Sequence, residues 1–258
     1  MKIGATLPRK GNGFTLWCMY RFYVPNLDCV ELSEDQVHHA LSVLRLTANT
    51  AVLLFDGQGR YANARITATS KRSMTLELIG PIVSDPPPSP ALTIAVAVPK
   101  ADRADWLIEQ ASQLNVARIQ WLATDRTIVK PKEGGGKLEK HHRLAIESAK
   151  QCHRTHLLQI ASPTTIDVLL QSTTTYDKIL WLDPAPDSAP IHCVCHSPHD
   201  SILALIGPEG GWSPREHALL EPLVAAGKII RVRLTPTILR IETAVAALAA
   251  IIMCGRNP

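Results

Sequence analysis

The residues with the clearest chemical use are glycines grouped in the segment Gly207-Pro208-Glu209-Gly210-Gly211. Glycine lets the backbone turn sharply and lets main-chain groups approach a ligand closely. A second segment, Leu234-Thr235-Pro236-Thr237-Ile238-Leu239-Arg240, combines a proline turn with aliphatic residues. Together these residue types predict a site where main-chain donors and acceptors bind a small molecule and apolar side chains flank it.

Each segment lies between a predicted strand and a predicted helix. The apolar run 201–206 has the length and β-branching of a buried strand. After it, Ser213 and Glu216 form a capping box around Pro214, so a helix begins there. The second segment repeats this plan, with a strand over 229–234 and an apolar helix over about 242–254. Strand-to-helix loops of this kind lie at one edge of a parallel sheet, where open α/β folds bind ligands.

The glycine spacing excludes two familiar nucleotide sites. It does not match G-x-G-x-x-G with a following acidic residue, which disfavours a dinucleotide-dependent oxidoreductase. It does not match G-x-x-x-x-G-K-[ST] either, so no lysine is placed to hold phosphates. A glycine loop alone is also typical of a plain tight turn, and the pairing of the two segments is therefore the stronger signal.

The two segments together resemble the bacterial ribosomal RNA uridine N3-methyltransferase family, which belongs to the SPOUT class. The similarity includes Gly207-Pro208-Glu209-Gly210-Gly211 and the later Ile238-Leu239-Arg240-Ile241-Glu242-Thr243-Ala244. It extends to Lys100-Ala101-Asp102-Arg103 and to the segment 147–154. The sequence departs from the family pattern at three positions: His153 and Thr235 replace glycine, and Thr237 replaces arginine.

The resemblance implies a fold, a cofactor and partners. The implied fold is α/β, a SPOUT-type parallel sheet with a C-terminal trefoil knot, preceded by a small PUA-like β-barrel domain. The implied cofactor is S-adenosyl-L-methionine, and the implied substrate is 16S ribosomal RNA, free or within the small ribosomal subunit. A homodimer formed through the knotted domain is also implied. Independently of the resemblance, six scattered cysteines in a chain that does not look secretory favour a cytoplasmic location.

The order of predicted elements divides the chain into three parts. Residues 1–19 are expected to be a flexible extension, residues 20–85 a small β-barrel and residues 86–258 an α/β domain. The resemblance implies that these last two are a PUA-like RNA-binding domain and a SPOUT methyltransferase domain. A capping box at Ser33–Gln36 starts a helix that should end near Arg45, and strands are predicted over 50–55, 61–67 and 74–79. The proline-rich stretch 81–90 predicts a stiff extended linker. Strand and helix signals alternate afterwards, as in a mostly parallel sheet.

The resemblance places the cofactor in three converging loops, where main-chain groups recognise the adenine. The residues assigned to that site are Leu182, Asp183, Pro184, Ile206, Gly207, Pro208, Glu209, Gly210, Gly211, Leu234, Thr235, Pro236, Ile238, Leu239 and Thr243.

Two residues are candidates for catalysis if the substrate is uridine N3, which must lose its proton. Arg240 is assigned to stabilise the negative charge that spreads over the neighbouring carbonyl oxygens, with a phosphate clamp or a salt bridge to Glu242 as the alternatives. Glu209 is assigned as proton acceptor, and capping of the following helix or bracing of the loop is the alternative.

Basic residues in both predicted domains are candidates for contact with RNA phosphates. For Arg45, Lys71 and Arg72 an ordinary solvated surface is the alternative, and Arg154 is assigned to the RNA backbone or the target base. The residues assigned to RNA are Arg21, Arg45, Lys71, Arg72, Arg126, Lys130 and Arg154.

The composition is that of a globular protein with a substantial core. Hydrophobic residues make up 46% of the 258 residues and charged residues 19%, and the net charge of +4 mildly favours a polyanionic partner. No apolar run reaches the roughly 18 residues of a transmembrane helix, so no membrane association is expected. The segment His192-Cys193-Val194-Cys195-His196 lacks the ligand spacing of a zinc site, so no metal is expected.

The leading hypothesis is therefore an S-adenosylmethionine-dependent methyltransferase acting on N3 of a uridine in 16S ribosomal RNA. A methyltransferase of the same fold acting at another RNA position is one alternative. The other is an RNA-binding ribosome-assembly factor that has the fold without the chemistry.

Overall fold

A computed structural model describes residues 20–127, 135–171, 173–194, 197 and 199–254. The extension predicted over residues 1–19 and the RNA-contact candidate Lys130 lie outside these described residues. Within them the strands form two sheets, one of five strands and one of seven.

The first sheet is built from the N-terminal part of the chain. Its strands are β1 (Arg21–Tyr23), β2 (Ala51–Phe55), β3 (Arg60–Thr69), β4 (Met74–Leu78) and β5 (Val83–Ser84). They run in the order β1-β2-β3-β4, with β5 also paired to β3; β1 is parallel to β2, and the other pairs are antiparallel. Alternate residues of β3 are buried, which is the period of a sheet with one covered face.

The helix between β1 and β2 differs from the predicted one after its first turn. Helix α1 (Glu34–His38) begins at the predicted capping box of Ser33 and Gln36, and then passes into a π-helix over His39–Val43. Ala40 in the π-helix and Leu46 just after it are both buried, and the Leu46 amide donates to the Ala40 carbonyl at 2.9 Å. Arg45, which lies between them in the chain, has a φ of 54°, in the left-handed region.

The proline-rich stretch predicted as a stiff extended linker is hydrogen-bonded to its surroundings. Strand β5 lies within it and pairs with β3. The Asp85 amide then donates to the Gly59 carbonyl at 2.9 Å, and its carboxylate accepts a 2.7 Å hydrogen bond from Thr155 in the following part of the chain. The stretch is therefore bonded to the first sheet and to Thr155.

The second sheet is entirely parallel, as the alternation of strands and helices predicted. Its strands are β6 (Ala91–Ala97), β7 (Arg118–Ala123), β8 (Gln159–Thr165), β9 (Lys178–Leu182), β10 (Ala189–Pro190), β11 (Ser201–Ile206) and β12 (Ile230–Arg233). They lie in the order β10-β12-β9-β11-β6-β7-β8. Strand β11 is thus central, with β9 on one side and β6 on the other.

Helices cover both faces of this sheet. They are α2 (Ala101–Gln113), α3 (Gly135–Cys152), α4 (Ile166–Gln171), α5 (Pro214–Ala225) and α6 (Ile241–Cys254). Helices α2 and α6 share one apolar cluster with Ala204 and Ile206 of β11, whereas α4 and α5 share another with Leu203 and Leu205. Successive residues of β11 therefore fill opposite cores, and the carboxyl end of the strand is held from both sides.

Strand β8 and helix α4 were not predicted. Strand β8 has the sequence Gln-Ile-Ala-Ser-Pro-Thr-Thr, with mostly polar residues and an internal proline. It is the edge strand of the sheet and pairs only with β7. An edge strand tolerates proline and polar residues because one side of its backbone makes no ladder hydrogen bonds, which removes the apolar pattern that identifies a strand.

In the described ranges, no helix is both long enough and apolar enough to cross a membrane. The same ranges contain no group of three or more His, Cys, Asp and Glu side chains that could hold a metal ion. Cys195 and His196 of the candidate cluster lie outside the described residues.

Two arginines assigned to RNA are buried at the junction of the two sheets, which corrects both assignments. Arg154 donates from Nη1 to the Ser112 carbonyl at 2.8 Å and from Nη2 to the Val116 carbonyl at 3.1 Å, and burial lowers the pKa of its guanidinium to about 10. Arg21 donates to the Arg154 carbonyl at 3.4 Å and lies 5.5 Å from the centre of the Phe55 ring. Both guanidinium groups contact protein where RNA contact was expected.

Replacement of Arg154 by methionine is expected to lower the free energy of unfolding by about 2–4 kcal/mol, because two buried carbonyls each lose a hydrogen bond from a charged donor. Urea denaturation measures this change. The matched control is Arg72→Met at the exposed β3–β4 turn, expected to change stability by less than about 0.5 kcal/mol. A stable Arg154→Met protein with weakened RNA affinity would restore the original assignment.

Candidate functional site

The predicted loops meet at one cavity of about 340 Å³ at the carboxyl edge of β9, β11 and β12. Each of these strands contributes the loop that follows it, as expected for an open parallel sheet. The cavity is lined by Leu182, Asp183, Pro184, Gly207, Pro208, Glu209, Gly210, Gly211, Trp212, Val232, Arg233, Leu234, Thr235, Ile238, Leu239, Ile241 and Ala244.

The loop after β11 is closely packed and leads into a helix with a capped N-terminus. A Cβ atom on Gly207 would lie 2.8 Å from Cε2 of Trp212, so the indole is packed directly on the backbone there. Gly211 has a φ of 71°, which favours glycine. Helix α5 then begins with the predicted capping box: Ser213 Oγ accepts from the Glu216 amide at 3.1 Å, and Glu216 Oε2 accepts from the Ser213 amide at 2.8 Å.

The loop after β12 contains two of the departures from the family pattern, and the structure shows what they do. Thr235 Oγ1 donates to the Thr237 carbonyl at 2.8 Å and lies 3.3 Å from Thr237 Oγ1. The two threonines therefore form a hydrogen bond that spans the proline turn. Ile238 at the tip is 84% exposed and lines the mouth of the cavity.

The loop after β9 is connected to the other two. Trp212 Nε1 donates to the Leu182 carbonyl at 3.3 Å, which joins it to the glycine loop. The Asp183 carboxylate is held by Arg231 of β12, with Nη2 at 2.7 Å and Nε at 2.9 Å. Arg231 in turn lies 5.0 Å from the centre of the Trp181 ring. Contacts between segments that are distant in the sequence therefore connect the parts of the cavity wall.

Most residues assigned to the cofactor line this cavity, and three do not. Ile206 is buried in the core beneath it, whereas Pro236 and Thr243 are exposed outside it. The prediction missed five lining residues: Trp212, Val232, Arg233, Ile241 and Ala244. A signal existed for two of them, because Ile241 and Ala244 are three positions apart and share one face of the first turn of α6.

The two candidate catalytic residues have different surroundings. Glu209 forms an ion pair with Arg103 in the first turn of α2, with 2.7 Å between Glu209 Oε1 and Arg103 Nη1. It does not cap α5, since Ser213 and Glu216 do so. Arg240 is exposed directly after Leu239, and no described residue forms an ion pair with it. The suggested partner Glu242 instead faces Arg103, with 3.6 Å between Glu242 Oε1 and Arg103 Nε.

A second, smaller cavity of about 20 Å³ also borders the glycine loop. It shares Pro208, Glu209, Gly210 and Ile241 with the first cavity, and it adds Val98, Lys100, Arg126 and Thr127. Arg126 Nη1 donates to the Gly210 carbonyl at 2.9 Å. The glycine loop therefore lines both cavities, and Lys100 and Arg126 line the smaller one.

Asp125, next to Arg126 in the loop after β7, connects that loop to the start of α5. Its Oδ2 accepts from Ser213 Oγ at 2.5 Å, and its Oδ1 lies 3.0 Å from Nη2 of Arg215. The hydrogen bonds from Arg215 and Ser213 lower the pKa of the Asp125 carboxyl, so this carboxylate stays ionised and the bracing persists at neutral pH.

The remaining RNA candidates are exposed but lie in two separate places. Arg45, Lys71 and Arg72 are on the first sheet and its connections, and Arg126 is beside the glycine loop. Exposure leaves these four available to a polyanion, whereas Arg21 and Arg154 are not.

Comparison with known proteins assigns the family. A family model described as an RNA methyltransferase domain matches residues 86–253, and one described as an RNA methyltransferase PUA domain matches residues 32–79. The Ribosomal RNA small subunit methyltransferase E of Synechocystis sp. is 27% identical over 219 residues, covering 81% of this chain and 70% of that protein.

Solved structures agree over nearly the whole chain. The Ribosomal RNA small subunit methyltransferase E of Neisseria gonorrhoeae, bound to S-adenosyl methionine, is 26% identical with a TM-score of 0.79, covering 91% of this chain and 97% of that one. A Legionella pneumophila methyltransferase in complex with the same cofactor has a TM-score of 0.79 at 26% identity. The family-model match spans most of the chain, and this protein belongs to the RNA methyltransferase family.

Proposed function

We propose that this protein transfers a methyl group from S-adenosylmethionine to N3 of a specific uridine in the 16S ribosomal RNA of the small subunit. The observation that carries the proposal is the convergence of the loops after β9, β11 and β12 on one cavity. The relatives named Ribosomal RNA small subunit methyltransferase E support the choice of substrate, and the Neisseria gonorrhoeae structure supports the choice of cofactor.

The residues present fit this cofactor. The cavity volume falls within the roughly 300–1,000 Å³ of small-molecule sites, and its wall is made of glycines, prolines and aliphatic side chains. Main-chain groups of the glycine and proline turns would recognise an adenine edge, and Leu182, Leu234 and Leu239 can flank the ring. When bound, the cofactor supplies an electrophilic methyl group on a positively charged sulfur.

Arg240 and Glu209 are the proposed catalytic residues. Arg240 stabilises the negative charge that develops on the uracil carbonyl oxygens as N3 loses its proton. Its exposed guanidinium has no competing acid among the described residues, which leaves it available to the base. Glu209 uses one carboxylate oxygen in its pair with Arg103, and the other oxygen accepts the proton, directly or through water. Bracing of the loop by the same ion pair is the alternative role.

RNA contacts are proposed for both parts of the chain. Arg126 and Lys100 would hold phosphates beside the target base, and Arg45, Lys71 and Arg72 would hold RNA at the domain of residues 20–85. We also propose a cytoplasmic homodimer of the knotted domain, residues 86–258. Trp106 of α2 and Ile251 of α6 are 43% and 38% exposed on two helices that pack together, which supports an apolar interface there.

Nucleoside mass spectrometry of 16S RNA from a strain that lacks the gene tests the proposal. Loss of 3-methyluridine, restored by the wild-type gene, is the expected result. Loss of a different methylated nucleoside would indicate the same fold acting at another position. An unchanged profile, together with no cofactor binding in calorimetry at millimolar concentration, would favour the assembly factor.

A further inference from the structure

We propose that Arg103 neutralises Glu209 and thereby limits how strongly the cavity stabilises the positive sulfonium of the cofactor. The inference rests on the proposed function and assigns Arg103 as a positioning residue for the reaction. Arg103 belongs to α2 and does not line the cofactor cavity, so its influence passes through Glu209.

The Arg103 guanidinium lies between two carboxylates, one on the glycine loop and one on α6. Its Nη1 lies 2.7 Å from Glu209 Oε1 on the glycine loop, and its Nε lies 3.6 Å from Glu242 Oε1 in the first turn of α6. The Glu242 side chain is largely buried, and its Oε2 has no hydrogen-bond partner among the described residues. Arg103 is therefore the cation that compensates both carboxylates.

The charged residues that line the cavity show why the pairing of Glu209 with Arg103 affects the binding of a cationic ligand. Three of the lining residues are charged: Asp183, Glu209 and Arg233. Asp183 is paired with Arg231, and Glu209 is paired with Arg103, each from outside the cavity. Without its partner, Glu209 would present an uncompensated carboxylate to a cationic ligand.

Methyl transfer converts the sulfonium into a neutral thioether, so positive charge on sulfur falls as the reaction proceeds. An unpaired carboxylate on the cavity wall would stabilise the sulfonium of the reactant more than the transition state, which would strengthen binding and slow transfer. Pairing with Arg103 cancels most of that preference. Both side chains are about one-third exposed, at 34% and 36%, so solvent screens the interaction and the expected effect is moderate.

The test compares binding of S-adenosylmethionine with binding of S-adenosylhomocysteine, which lacks the sulfonium charge. In Arg103→Met, calorimetry should show the preference for the charged ligand rising about threefold to tenfold, while single-turnover methylation slows. Adding Glu209→Gln to Arg103→Met should return the preference to the wild-type value. Arg103→Lys, which keeps the cation, should remain near wild type.

Two further variants separate this effect from simple destabilisation. Lys140→Met removes another ion pair of α2, to Asp105 at 2.5 Å, and should leave the preference unchanged. Glu209→Gln alone keeps Arg103 beside Glu242 and should lower the preference for the charged ligand. If Arg103→Met weakens both ligands equally, and Glu209→Gln does not change their ratio, the inference is wrong. If the wild-type protein binds neither ligand, the proposed function itself fails.

Discussion

Arg240→Ala is expected to reduce the rate of methyl transfer by about 100- to 1,000-fold while S-adenosylmethionine binding stays within about twofold of wild type. The first value is the cost of removing one group that stabilises developing negative charge. The second follows from position: Arg240 is exposed and does not line the cofactor cavity, whereas its neighbour Leu239 does. Because Arg240 is exposed, the free energy of unfolding should change by less than about 0.5 kcal/mol.

Single-turnover methylation of small-subunit RNA, together with calorimetry for the cofactor, checks this prediction. Arg240→Lys keeps the charge but not the planar pair of donors, and partial activity is expected for it. A phosphate-clamp role would give another pattern: the KM for RNA would rise while single-turnover rates at saturating RNA remained near wild type. That pattern would remove Arg240 from the catalytic role.

Gly207→Ala is expected to weaken S-adenosylmethionine binding by about 10- to 100-fold, the range that corresponds to overpacking by one methyl group. The added Cβ would lie 2.8 Å from Cε2 and 2.9 Å from Nε1 of Trp212. The indole would have to move, and its 3.3 Å hydrogen bond to the Leu182 carbonyl would be lost. Two walls of the cavity would then separate.

Gly210→Ala is the matched control in the same loop. Its Cβ would have its nearest contact at 3.6 Å, to Cβ of Arg126, which is an ordinary van der Waals distance. Neither Gly207 nor Gly210 has a positive φ, so backbone strain does not distinguish them. Calorimetry should therefore give a cofactor affinity within about twofold of wild type for Gly210→Ala. Equal losses in the two variants would show that the packing of Trp212 is not the cause.

The elements around the site were predictable because their signals are local. The capping box of Ser213 and Glu216 joins residues three positions apart, and the apolar run of β11 is a short continuous segment. The same holds for Ser33 and Gln36 at the start of α1. The π-helix that follows α1 was not predictable in this way, since burial of Ala40 and Leu46 depends on the sheet they pack against.

The roles of charged residues were predicted less well. Arg154 was assigned to RNA because it is basic and lies in a segment similar to the family, yet its partners are carbonyls 42 and 38 positions away. Arg103 received no assignment although it contacts a catalytic candidate 106 positions along the chain. A basic side chain has the same appearance in the sequence whether it faces water, RNA or a buried carbonyl.

The sequence by itself determined the family through the resemblance of its two loop motifs to known proteins. It determined the parallel sheet and the two loops that form most of the cavity because glycine freedom, capping and apolar periodicity act over a few neighbouring residues. Only the tertiary structure decided that Trp212 packs on the backbone of the glycine loop and that Arg21 and Arg154 are buried. It also decided that Arg103 and Arg231 form ion pairs with the two acidic residues of the cavity. Those outcomes depend on which distant segments become neighbours when the sheet assembles, and local sequence does not specify that pairing.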